Sequence, residues 1–138
     1  MRRCLQSLAL VAVLAGAAVP ALADDASDIR AVITQQLMAF KTGDGAAAYS
    51  LAAPNIKRMF PSPEIFMSMV KSGYAPVFQS SNATFGPLKP EGAGFRQEVH
   101  LTDQNGQSHI ASYTLERQPD GSLKITGCSI RKGDDVSA

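Results

Sequence analysis

The chain has 138 residues, with 13 Lys and Arg against 12 Asp and Glu, a formal net charge of +1 and 45% hydrophobic residues. That length suits one domain whose core needs neither metal nor disulfides. The charge balance, without a run of like charges or a basic stripe, excludes an electrostatic case for nucleic acid or anionic lipid as partner.

The N-terminus carries the three parts of a secretory signal peptide. Arg2 and Arg3 make a positive start, residues 5–19 are apolar except for Gln6, Ser7 and Gly16, and Ala21-Leu22-Ala23 offers small residues where a signal peptidase reads them. The cut is expected after Ala23. The apolar run is shorter than the ~20 residues of a membrane span, and Pro20, Asp24 and Asp25 end it. Cys4 precedes the run and is not a lipid-attachment cysteine, so the expected product is periplasmic or extracellular and free of the membrane. Residues 1–23 are then signal peptide, 24–132 the domain and 133–138 a frayed polar tail. Cys128 is the one cysteine left in that product, so no intramolecular disulfide forms. A buried, slowly reacting thiol is expected there.

The first half reads as three helices. Ile29, Val32, Ile33, Leu37 and Phe40 recur at helical spacing, and Gly43 stops the run. Asp44 is an N-cap for a second, Ala-rich helix through Ala53, ended by Pro54. Ser62-Pro63-Glu64 opens a third, with Ile65, Phe66, Met69 and Val70 as its buried stripe and Gly73 as its stop. Met59, Met67 and Met69 are expected as gap-filling core.

The second half reads as four strands over residues 82–88, 94–102, 108–117 and 122–131. Pro119-Asp120-Gly121 is a three-residue hairpin loop, which pairs Gln118 with Ser122, Glu116 with Lys124 and Leu115 with Ile125. A three-residue loop Gln104-Asn105-Gly106 puts Phe95 opposite Leu115 and Val99 opposite Ala111, which keeps one face apolar. A two-residue loop would instead put His100 and His109 on one face near Glu98, where a metal site becomes thinkable. The three-residue register separates the two histidines, and no metal site or cofactor is expected from it.

The expected inner face then holds polar Gln97, His109, Tyr113 and Ser129 among apolar neighbours, with Gly127 beside the Tyr113 ring. Buried polar groups need partners, so these residues either satisfy one another or line a ligand pocket. On the expected outer face Ile110 pairs with Ile130 amid small polar residues, a patch suited to homodimer formation.

Helices followed by a curved antiparallel sheet, with the junction Phe40-Lys41-Thr42-Gly43-Asp44-Gly45, resemble the cone fold shared by ketosteroid isomerase, SnoaL and nuclear transport factor proteins. Residues 62–70 (Ser62-Pro63-Glu64-Ile65-Phe66-Met67-Ser68-Met69-Val70) with Tyr74-Ala75-Pro76-Val77-Phe78 resemble, more narrowly, domain of unknown function 4864. The resemblance covers most of residues 27–132. It implies an α+β fold, three N-terminal helices packed on a curved four-stranded antiparallel sheet. The isomerases of that fold use an acid as base with a tyrosine and a protonated acid as donors, and the SnoaL-like cyclases use an acid–histidine pair. The expected inner face here has no carboxylate, and His109 is its one base at neutral pH.

Three readings follow. The first is a non-catalytic exported domain that binds a small apolar molecule in the cone or a protein through its sheet. The second is a small acid–base enzyme of isomerase, cyclase or hydratase type using Tyr113 and His109. The third is a homodimer joined through Ile110 and Ile130.

Overall fold

The computed structural model describes residues 18–133. Most of the signal-peptide reading, residues 1–17, and most of the tail reading, residues 134–138, lie outside the described residues. No helix among the described residues is long and apolar enough to cross a membrane.

The first helix, α1 (Ala18–Thr42), runs without a break through the expected cleavage point. Ile29, Ile33, Leu37 and Phe40 form its buried stripe. Gly43, at φ +73°, turns the chain in the left-handed region where a side chain is disfavoured. The Gly43 and Asp44 amides donate back to Phe40 and Ala39, which caps the helix C-terminus. Asp44 then accepts from the Ala47 amide at 3.1 Å and starts α2 (Gly45–Ser50), so one dipeptide ends one helix and begins the next.

The second helix stops three residues short of expectation. Ala52 instead forms a parallel bridge to Ile125, with the Ile125 amide donating to Leu51 and the Ala53 amide to Ile125. Pro54, read as a terminator, sits at the start of a further helix, α3 (Pro54–Met59), where its missing N–H costs nothing. Ser62 caps α4 (Pro63–Gly73) through the Ile65 amide at 3.2 Å, and a single turn, α5 (Ala75–Phe78), follows. The three expected helices are therefore present, with two short ones beside them. Two positions differ in burial: Ile65 is 49% exposed and Met59 66% exposed, because Phe66 and Val70 take the core side of α4 and Met59 lies at the end of a helix with no buried residue.

The strands β1 (Asn82–Glu91), β2 (Gly94–Thr102), β3 (Ser108–Arg117) and β4 (Leu123–Lys132) form an antiparallel meander in the order β1-β2-β3-β4. Both three-residue loops form. Asp103 pairs with Gln107 and Gln118 with Ser122, with Gly106 and Gly121 at positive φ. The β2–β3 register is the expected one throughout.

The β3–β4 register changes partway. Leu115 pairs with Ile125 as expected, but Thr114 pairs with Gly127 and Tyr113 with Cys128, so Thr126 is an extra residue in a β-bulge. Beyond that bulge every side chain of β4 changes face, since the side-chain period of a strand is two. Cys128 and Ile130 turn inward. Gly127 and Ser129 turn outward. A Cβ on Gly127 would meet the Thr114 hydroxyl at 3.0 Å, and the Thr126 hydroxyl already bonds that group at 2.9 Å, which places this stretch on the outer face. The helices cover the inner face, where Val99, Leu101, Ala111, Tyr113, Leu115, Leu123 and Ile125 complete the core.

Candidate functional site

A cavity of about 270 Å³ lies between the inner face of the sheet and the helices. Phe40 of α1 and Phe66 and Val70 of α4 form its helical wall, and Tyr113, Ile125 and Cys128 form its sheet wall. The helical wall is aromatic because the stripes of α1 and α4 bring phenylalanines together: the Phe40 and Phe66 ring centres are 6.1 Å apart, and Phe66 lies 6.5 Å from Phe60. Asn55, Met59, Thr126 and Gly127 border the cavity where α3 passes the β4 bulge. The Asn55 amide donates to the Thr126 carbonyl at 2.9 Å and holds α3 against β4 there.

Tyr113 occupies the wall as expected. It is 1% exposed, and its hydroxyl has no hydrogen-bond partner among the described residues. Burial pushes its phenol well above the ordinary range, and the neighbouring Cys128 adds to that. Burial likewise pushes the Cys128 thiol up to about 12. Cys128 keeps some accessible area because it borders the cavity, but its apolar surroundings decide its titration. Both groups therefore stay protonated near neutral pH, and the expectation of a slow thiol has a physical basis.

The other expected pocket residues do not converge on Tyr113. Gln97 faces inward and is fully buried, but it fills a break in the sheet rather than the cavity. Its amide nitrogen donates to the carbonyls of Gly86 at 2.9 Å, Glu98 at 2.8 Å and Pro87 at 3.3 Å, where β1 carries a register shift between Phe85 and Leu88. Its Oε1 is left without a partner among the described residues. His109 pairs with Leu101 at the far end of the inner face, and its Nε2 lies 2.8 Å from Asp103 Oδ2. That contact, with the Gln107 and Asn105 amides, holds the Asp103 carboxyl below its usual range. Four residues separate His109 from Tyr113 along one strand, roughly 13 Å at ~3.3 Å per residue, so no Tyr113–His109 acid–base pair exists.

Gly127 borders the cavity mouth, with the place a Cβ would take on the outer side against Thr114, and Ser129 is exposed on the outer face. Ser129 is therefore no pocket residue. The outer-face pair Ile110–Ile130 does not form either: Ile110 pairs with His100 and Arg131, while Ile130 pairs with Ala111 and packs against the core. The corrections at Gly127, Ser129 and Ile130 have one cause, the extra residue at Thr126. Glycine inside a strand pattern is a bulge signal, and read that way Gly127 would have put Cys128 beside Tyr113. The mouth residues Asn55 and Met59 were missed because Pro54 read as an end and not a start.

None of the described residues lining this cavity is Asp, Glu, His, Lys or Arg. Among the described residues no group of three or more His, Cys, Asp or Glu side chains could hold a metal ion. The arrangement can enclose apolar matter beside the unpartnered Tyr113 hydroxyl, with Tyr74 and Thr126 also on its lining.

A family model described as Domain of unknown function (DUF4864) matches residues 22–138. In solved structures, the chain is similar to a crystal structure of an NTF-2 like protein of unknown function from Burkholderia xenovorans LB400. The TM-score is 0.50 at 14% identity, covering 83% of this chain and 89% of that one. That likeness shows the fold. No curated protein matches the chain.

Proposed function

The chain belongs to the DUF4864 family, and we propose that it is a binding module that holds a small apolar molecule in the cavity between its sheet and its helices. The observation that carries this reading is Tyr113. A tyrosine hydroxyl without a partner among the described residues, buried on the wall of a largely apolar cavity, is a cost that a bound molecule would remove. The volume supports it. At about 270 Å³ the cavity exceeds the ~150 Å³ apolar void that takes up benzene in an engineered protein. The wall chemistry supports it too, because aromatic and aliphatic side chains with few polar groups are the usual lining of a ligand pocket.

Export completes the proposal: residues 1–23 act as a signal peptide, cleaved after Ala23. Contacts that anchor α1 lie on the mature side of that cut. Arg117, at the end of β3, bonds Asp25 and Asp28 at 2.8 Å each, and Ile29 is the first buried residue of the core stripe. Asp24, Asp25 and Asp28 would also stand in or near the first turn of the mature helix, where negative charge is favoured.

Titration with N-phenyl-1-naphthylamine, an uncharged fluorophore, tests the binding role. The mature protein should enhance its fluorescence saturably with one site per chain. Cys128→Phe, which puts a ring into the cavity, should abolish the enhancement while circular dichroism shows a folded chain. Equal enhancement by both proteins would place the dye elsewhere and contradict the proposal.

A further inference from the structure

We infer that the molecule this cavity takes up is uncharged and presents one hydrogen-bond acceptor, such as a carbonyl or ether oxygen, to the Tyr113 hydroxyl, with an apolar, ring-sized body against Phe40, Phe66 and Val70. The inference rests on the binding role proposed above and narrows it to a chemical class.

Charge is excluded by the lining. With no Asp, Glu, His, Lys or Arg among the described residues that line the cavity, an anion or a cation would leave water without meeting a counter-charge there, and the penalty for that is large. The need for an acceptor comes from Tyr113. Tyr113 lines the cavity, its hydroxyl is buried without a partner among the described residues, and burial keeps its proton in place, so the group is a donor in want of an acceptor. Other amides nearby already have work. Gln36 donates to the Ala48 carbonyl at 3.3 Å, and Asn55 at the mouth donates to Thr126. Gln97, the other residue with an unpartnered buried atom, does not line the cavity. Among the described residues that line the cavity, Tyr113 is thus the one whose buried polar atom lacks a partner. The body is set by the walls, where Phe40 and Phe66 rings tilt 35° to each other across 6.1 Å and favour a flat or cyclic apolar group.

Four probes of the same size and shape separate the terms: acetophenone (neutral with an acceptor), cumene (neutral without one), benzoate and 1-phenylethylammonium. Dissociation constants come from NMR titration of the wild type and of Tyr113→Phe, a change that keeps the ring. The two neutral probes should bind the wild type and the two ions should not. Tyr113→Phe should weaken acetophenone roughly 3- to 10-fold, the worth of one net hydrogen bond, and leave cumene unchanged or tighter. An equal effect on both neutral probes would show that the hydroxyl is not the anchor and overturn the inference while leaving the binding role intact. So would benzoate bound as tightly as acetophenone. Failure of both neutral probes to bind would overturn the binding role, and this inference with it.

Discussion

Tyr113 and Cys128 face each other across β3 and β4, and each carries a proton that burial makes hard to remove. For Cys128 the consequence can be measured. Its thiol titrates near 9.0 when unperturbed and at about 12 in the fold, so between those values the unfolded chain has lost a proton that the folded chain keeps. Stability from this group is complete below about pH 9 and falls as pH rises toward 12. Denaturant unfolding from pH 8 to 11 should show a steeper loss for the wild type than for Cys128→Ala. Parallel curves would mean that the thiol is not buried. Cys128 also shows what a single residue hides in a sequence. Its type and strand position are legible and predict an inert thiol, but its face is not, because that depends on whether Thr126 is counted in the ladder.

At the level of elements, the hairpins were the legible part. Pro119-Asp120-Gly121 and Gln104-Asn105-Gly106 have turn chemistry that fixes loop length, and loop length fixes register for the residues next to the loop. The helix caps at Gly43-Asp44 and Ser62-Pro63 were legible for the same reason, since local side chains satisfy local backbone groups. The β4 bulge lies beyond the reach of the loop. It is decided by tertiary contact, where Leu51 and Ala53 take the backbone bonds of Ile125 and the strand accommodates an extra residue next to it. The bulge makes a sharp prediction. Ile130→Glu should destabilise by roughly 1–3 kcal/mol, because it puts a charge against the core, while Ser129→Glu should stay within about 0.5 kcal/mol. Chemical denaturation of both variants checks it, and the reverse order would restore the unbulged register.

For the molecule as a whole, the fold class and the four-strand meander were legible from alternating hydrophobicity and turn residues, and the structural likeness supports the fold class. The site was legible at Tyr113 and Gly127, which both line the cavity. Its polar companions scattered, His109 to Asp103 and Gln97 to the β1 break, because a polar residue on a core face takes whichever partner its own strand end supplies. Processing belongs to this scale as well. Protein recovered from the exported fraction should have the intact mass of a chain beginning at Asp24, and recovery of the uncut chain alone would contradict cleavage. The proposal that this fold is a container for a small neutral molecule is tested most directly by native mass spectrometry of that mature protein, purified without organic solvent. The account predicts a non-covalent adduct that leaves as a neutral on collisional heating and is absent from Cys128→Phe. Bare protein in both samples, or an adduct of equal abundance on both, would contradict it.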